Sequence, residues 1–293
     1  MSNANKSFTL IEILVVIVII GIISAFIIVS IAGVSQKAII AKGQAFSSSL
    51  KNALMMNLVS EWKFDESSGI TAYDFWGTKN GTRMDTTGAC DATHCPQIQT
   101  TGCISNNCLL FDGVNDWVNI GSFDQYENGF SVSLWFKNIS ISSRQDLFWA
   151  GGDKFILAVN SSYVFSHYAR SVDGNTGYIN SSLKFNNNNW FFVVLTYSPV
   201  LGKTSLYING IKDTQGGSIT GASVYTSYLR VGTRYNYAGS WFNGYMDELR
   251  VYDQAVPTSQ VQEIYYSGLN NLLVKNQISS KDYGQRTAPL EFK

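Results

Sequence analysis

The sequence predicts an α+β protein in which one long N-terminal α-helix, transmembrane in its first half and an amphipathic stalk in its second, precedes an all-β sandwich. Three observations carry this. Phe8 to Val34 is an almost unbroken apolar run; apolar residues then recur at helical spacing as far as Leu58; and after Ser60 the chain turns into short alternating runs separated by Gly, Asn, Asp and Ser clusters. The β-rich part is about 230 residues, a common size for one sandwich domain.

The apolar run comes first. Phe8 to Ala32 would make a helix of roughly 38 Å at 1.5 Å per residue, enough to cross a hydrocarbon core of about 30 Å. Glu12 lies inside it, and a charge there costs about 2.5 to 3.5 kcal/mol, which marks a partner or a function. The leader MSNANKS ends in the small residue Ser7. Cleavage between Ser7 and Phe8 would free an α-amine one helical turn from Glu12, able to pair with it within a helix or between neighbouring helices. Lys6-Ser7-Phe8-Thr9-Leu10-Ile11-Glu12 closely resembles the processing site of type IV pilins and type II secretion pseudopilins. The resemblance implies cleavage by a prepilin peptidase, N-methylation of Phe8, and a helical polymer of this chain, with itself or with related subunits, in which Glu12 reads the amine of an adjacent subunit. Its precursor would sit in the inner membrane and its mature form in an extracellular filament or at the cell surface. Ser7 stands where such families usually have Gly, and Val29 where a helix-breaking Pro is often found. Two other readings stay open: a secretory signal cut after Ser30-Ile31-Ala32, against which the length of the run and Glu12 both count, and an unprocessed single-pass anchor. Lys6 on one flank faces Lys37 and Lys42 on the other, so charge does not set the orientation.

Formal charge is zero and charged residues make up only 14% of the chain, without the clustered Lys and Arg of a nucleic-acid footprint. All four cysteines fall in one stretch, Cys90, Cys95, Cys103 and Cys108. A zinc site would usually show C-x2-C knuckles, and disulfides suit a domain beyond a membrane. The matching x4 loops favour Cys90 with Cys95 and Cys103 with Cys108; the nested pairing, Cys90 with Cys108 around Cys95 with Cys103, is the alternative.

Ile39, Phe46, Leu50, Leu54 and Leu58 form one apolar stripe with Lys37, Lys42, Gln44 and Lys51 between them, which predicts that the helix continues as an amphipathic stalk packed on the following domain. The domains expected are a leader over 1–7, the helix over 8–59 with 8–32 in the membrane or filament core, the sandwich over 60–270 and a tail over 271–293. Strands are predicted at Glu61 to Phe64, Leu109 to Asp112, Trp117 to Ile120, Phe130 to Lys137, Lys154 to Val159, Tyr163 to Tyr168, Trp190 to Tyr197, Thr204 to Ile208, Tyr228 to Val231 and Gly244 to Tyr252. Alternation gives each a buried face, and many short strands with turn signals mean two packed sheets. Asn209-Gly210 favours a tight hairpin turn. The tail has no clear period; it fits an extra strand or an unstructured end.

Trp62-x-Phe64-Asp65-Glu66-x-Ser68-Gly69, with Ala72-Tyr73-Asp74 and Asn80-Gly81-Thr82, looks like the opening of a laminin G-like, concanavalin A-like jelly roll. Leu110 to Val118, LFDGVNDWV, is similar to that family's second signature, and Phe242 to Tyr252, FNGYMDELRVY, to its last. In the resembling family a short helix commonly ends the domain, here Val261 to Tyr266 after the cap-like Thr258 or Ser259, and the first and last strands are neighbours. That would bring Asp74 and Asn80 near Asp247, with Asp65 in reserve, as oxygen ligands for a structural Ca2+, a cation that takes six to eight such ligands.

Adjacent Asp247 and Glu248 point to opposite faces of a strand, and the domain's acidic residues fall at turns and strand ends, not in the alternating array a glycosidase carries on one strand. No enzyme is therefore expected, and no catalytic residue is assigned. A glycan site needs aromatic faces with amide and carboxylate edges. The loop Thr233 to Trp241 has that composition, with Tyr235, Tyr237 and Trp241 as ligand-binding residues. The function expected is a pilin-like filament subunit displaying the sandwich for adhesion to glycans or other polymers; a secretion pseudopilin and a membrane-anchored lectin-like or carbohydrate-active protein are the alternatives.

Overall fold

The structure, a computed structural model, describes residues 10–24, 57–88, 90–91, 94–123, 128–151, 155–169, 179–215, 226–234 and 239–290. Residues 10–24 form helix α1, all of them exposed. The expected processing residues Ser7 and Phe8, the rest of the membrane stretch and the stalk as far as residue 56 lie outside the described residues; Leu58, expected as the last apolar position of the stalk, begins the first strand instead. Among the described residues no helix is long and apolar enough to cross a membrane.

The strands in chain order are β1 (Leu58–Trp62), β2 (Thr71–Ala72), β3 (Gly81–Met84), β4 (Gln97–Gln99), β5 (Cys108–Asp112), β6 (Trp117–Phe123), β7 (Phe130–Asn138) and β8 (Gln145–Ala150). They continue with β9 (Phe155–Val159), β10 (Val164–Ala169), β11 (Ile179–Lys184), β12 (Phe191–Ser198), β13 (Lys203–Ile208), β14 (Ile211–Lys212), β15 (Thr226–Val231) and β16 (Asn243–Tyr252). Helices α2 (Thr258–Val274) and α3 (Ser280–Thr287) close the chain.

Two antiparallel sheets result. Sheet A runs β14-β13-β12-β7-β16-β5-β4, with β1 also paired to β16; sheet B runs β11-β10-β9-β8-β15-β6-β3-β2. Alternation explains the layering. Val132, Leu134 and Phe136 of β7 enter the core between the sheets, together with Val193 and Leu195 of β12, Val118 and Ile120 of β6, and Leu229 and Val231 of β15. Their alternates on sheet A, Trp135, Phe192, Val194 and Tyr252, point the other way, into a second core under α2 with Tyr265, Leu269 and Leu272. Gly268 of α2 stands so close to Trp135 that a Cβ there would lie 2.3 Å from the indole ring; this helix–sheet contact requires glycine. At the β13–β14 hairpin, Asn209 and Gly210 take φ of 51° and 79°, the two positive angles of the tight turn.

The predicted strands are present. The additional ones, β2, β3, β4, β8, β11 and β14, are mostly short or polar. The sandwich begins at Leu58, and the last helix is 17 residues long, well beyond the stretch expected. The tail is helical too. In α3 the Ser279 hydroxyl accepts from Asp282 N while the Asp282 carboxylate accepts from Ser279 N, and Tyr283 is the only residue of α3 that is buried. One apolar anchor makes no stripe, which is why the helix left no periodic signal.

Candidate saccharide-binding surface

Along β6 the alternation that sends Val118 and Ile120 inward turns Trp117 and Asn119 to the outer face of sheet B. Asn119 lies opposite Thr82 of β3 and Arg230 of β15. Trp241, preceding the core residue Phe242, leans on Trp117 in a tilted contact with ring centroids 5.8 Å apart and planes at 33°. The Arg230 guanidinium lies 5.6 Å over the Trp117 ring, within the range of a cation–π contact. Trp241 is anchored through its neighbour, since Asp146 N of β8 donates to Ser240 O at 2.9 Å. Asp146 in turn accepts from Arg144 Nε and Nη2 at 2.8 and 2.7 Å. Both tryptophans are partly exposed. Two indole faces, a guanidinium and an amide therefore share one face, a set that can meet the apolar face and the hydroxyl rim of a sugar ring, while the Asp146 carboxylate is buried beneath it.

Of the ligand-binding residues expected from sequence, Trp241 is on this face, while Tyr235 and Tyr237 lie outside the described residues. Trp117 and Arg230 were missed. The signal was available in Trp117-Val118-Asn119-Ile120, where alternation alone sets Trp117 opposite the core residues.

The four expected calcium ligands fall into two groups. Asp74 is buried, and its Oδ1 accepts from the backbone N–H groups of Glu61, Trp76 and Gly77 at 2.8–3.1 Å, its Oδ2 from Lys79 N at 3.0 Å. Burial raises its pKa, and these N–H groups more than reverse that, leaving it below the usual value. Asn80 Oδ1 accepts from Asp74 N. The oxygens of this pair thus already meet backbone donors, and what they organise is the loop 73–80. Asp247 Oδ2 accepts from Ile104 N and Ser105 N at 2.8 and 3.0 Å, beside the Cys103–Cys108 disulfide. Its Oδ1 is buried without a partner. Burial, then the Glu248 charge, pushes the Asp247 carboxyl well above its ordinary pKa, and Asp65 adds to the rise. Asp65 itself accepts from Asn107 N at 2.9 Å and from Asn106 Nδ2 at 3.1 Å. Among the described residues, the one set of three His, Cys, Asp or Glu that converges is Cys103, Cys108 and Asp247, and its two cysteines are disulfide-bonded. The expectation that Asp247 and Glu248 face opposite ways needs amendment: the pairing of β16 slips between Asp247 and Arg250, Glu248 takes a φ of 54°, and both carboxyls are buried.

The disulfides are local, Cys90–Cys95 and Cys103–Cys108. Glu12 lies in α1.

Fold and surface together define a two-sheet, lectin-like sandwich. The family model described as concanavalin A-like lectin/glucanases superfamily matches residues 112–262, more than half of the chain. The chain belongs to that superfamily. Residues 2–28 match the prokaryotic N-terminal methylation motif, the type found in type IV pilins. No curated protein matches the chain. Among solved structures, the binding domain of Paraclostridial Mosquitocidal Protein 1 superposes with a TM-score of 0.57 at 20% identity, over 74% of this chain and 53% of that one. A Trypanosoma rangeli sialidase in complex with the inhibitor DANA gives 0.53 at 12% identity, over 71% and 32%. The Botulinum Neurotoxin Type G Receptor Binding Domain gives 0.52 at 12%, over 71% and 51%. The chain thus spans about a third of the sialidase and about half of the two binding-domain chains. At these identities the likeness is one of fold alone. It nevertheless corrects one expectation: the sequence pointed to no enzyme, but this sandwich also occurs within sialidases, so the fold does not set the chain apart from enzymes.

Proposed function

We propose that the chain is a type IV pilin-like filament subunit whose sandwich binds saccharide polymers outside the cell. The observation that carries this reading is the joining, in one chain, of an N-terminal methylation motif to a lectin-superfamily sandwich. The Trp117–Trp241 pair on the outer face of sheet B supports the saccharide part. In this reading prepilin peptidase cuts between Ser7 and Phe8, the apolar helix holds the precursor in the inner membrane and then forms the filament core, and Glu12 aligns each subunit on its neighbour's amine.

The test has two arms. Mass spectrometry of filaments sheared from the native cell is expected to yield a peptide beginning at N-methylated Phe8; an intact leader, or a start at Gly33, overturns the filament reading. An oligosaccharide array probed with the full chain is expected to give a weaker signal with Trp117→Ala; equal binding by variant and wild type overturns the surface assignment. Calcium enters the reading at Asp247 and Asp65, where one carboxylate oxygen is without a donor. Added Ca2+ is expected to raise the melting temperature of wild type and not of Asp247→Asn, and identical responses reject that site.

A further inference from the structure

The loop 73–80 does something its hydrogen bonds alone do not require. Tyr73, Phe75 and Trp76 stand 53%, 56% and 41% exposed, although large apolar side chains gain by burial. They are not loose. The Asp74 carboxylate between them holds four backbone N–H groups, Trp62 Nε1 donates to Lys79 O at 2.9 Å, and Phe75 N donates to Glu61 O at 2.8 Å. Gly77 presses so close to β1 that a Cβ would meet Val59 O at 2.5 Å. The loop is fixed along β1 while its rings project outward.

Polar groups accompany the rings. Thr78 and Asn80 are exposed, and Lys63 Nζ sits 5.1 Å over the Phe75 ring. The β12–β13 turn offers a contrast in the same molecule: Val200 and Leu201, 92% and 69% exposed, are adjacent aliphatic side chains, a composition suited to lipid or to an apolar protein face. The loop instead pairs flat aromatic faces with hydroxyl, amide and ammonium groups. That chemistry matches a pyranose, which has an apolar C–H face and a polar rim, and the backbone bonds have already ordered the loop before a ligand arrives.

We infer that the 73–80 loop, through Tyr73, Phe75 and Trp76, is a second saccharide-binding platform, separate from the Trp117–Trp241 face. The inference rests on the preceding reading for its class of ligand only. Two platforms on one sandwich favour polymers over single sugars, because a second contact on the same chain is intramolecular.

The experiment uses the full chain in detergent on surfaces coated with cellohexaose, chitohexaose, mannohexaose or polygalacturonate, with hydroxyl-radical footprinting of the bound state. Because the three rings are exposed, Y73S/F75S/W76S is expected to fold with an unchanged melting temperature. The expected result is retention weakened about tenfold, or roughly 1.4 kcal/mol, in this variant, together with protection of Tyr73, Phe75 and Trp76 from oxidation in wild type by the bound sugar. Protection confined to Trp117 and Trp241, with the triple variant binding as wild type, overturns the second platform and leaves the first. Protection of the loop that follows protein concentration without sugar assigns it to a second copy of the chain and overturns the inference. No retention on any of the four surfaces overturns both platforms.

Discussion

The two outer faces of this sandwich are made by the same alternation and end differently. On sheet A the outward residues are Trp135, Phe192, Val194 and Tyr252, and α2 seals them: Trp135 stacks on Tyr265 with centroids 5.5 Å apart at 18°, and Tyr265 is itself fully buried. On sheet B the outward residues of β6 and β15 are Trp117, Asn119 and Arg230, and the contact they build with Trp241 stays partly exposed. A tryptophan pointing out of a sheet is therefore not informative by itself. What separates core from site is the company it keeps: aliphatic and aromatic neighbours with a helix above Trp135, a guanidinium and an amide beside Trp117. The difference teaches that the outer face of sheet A under α2 is committed to holding the fold, whereas on sheet B the β6 end stays open beside a buried cluster of Trp149, Ile156 and Ala158.

The strongest way to break this comparison is to truncate one tryptophan on each face. Trp135→Ala empties the contact under α2 and is expected to cost about 3–5 kcal/mol, read as a large fall in the urea midpoint. Trp117→Ala is expected to cost about 1 kcal/mol or less and to weaken saccharide retention. If the two substitutions destabilise equally, the faces do not differ in kind.

How much of this was legible beforehand depends on the range of the interaction. The Asn209-Gly210 turn and the β7 run SVSLWF were readable because the turn is local and the strand's period is two. Pairing of Cys90 with Cys95 and of Cys103 with Cys108 was readable for the same reason. Asp74 and Asp247 were joined in one calcium site through a resemblance, but their partners are set by chain segments far apart in sequence: Asp74 meets the backbone of its own loop and of Glu61, Asp247 that of residues 104 and 105. No periodicity reports that. Trp117 was missed although its alternation was visible, because a strand residue with a large ring reads as core until the opposite face is shown to be open.

A second effect, smaller than the first, comes from the interior that both sheets share. His167 of β10 is completely buried; its Nε2 lies 3.2 Å from Thr204 Oγ1 of β13, and its Nδ1 has no partner. Burial lowers its pKa to about 4, with the Asp213 charge opposing. Folding thus favours the neutral ring. The stability this carries is complete above the unfolded value of 6.5 and is lost as pH falls from there through about 4, by about 3 kcal/mol at most. Melting temperatures measured from pH 7 to 4 are expected to decline less steeply in His167→Gln. An identical slope in the variant would assign the acid sensitivity elsewhere.

The smallest expected effect has the opposite sign and lies just before β6. Asp116 immediately precedes Trp117 and is buried; its Oδ2 accepts from Asp112 N at 3.0 Å. Burial first, and then the charges of Asp112 and Asp85, raise its pKa to about 6, against the lowering effect of that hydrogen bond and of Arg83. Folding here favours the protonated acid, so its contribution is complete below the unfolded value of 3.8 and is lost as pH rises through about 6. Asp116→Asn keeps an oxygen for Asp112 N and removes the charge. The variant is expected to be more stable than wild type at pH 7.5, by about 1 kcal/mol once solvent screening is allowed for, and equal to it at pH 4. A charge retained at such a cost one residue before Trp117 is worth testing against binding as well as stability. If Asp116→Asn is more stable and binds saccharide as wild type does, the charge serves neither the fold nor the site. If the variant gains stability and loses binding, the open face has kept an unfavourable carboxylate for its ligand, a trade that the sealed core around Trp135 has no reason to make.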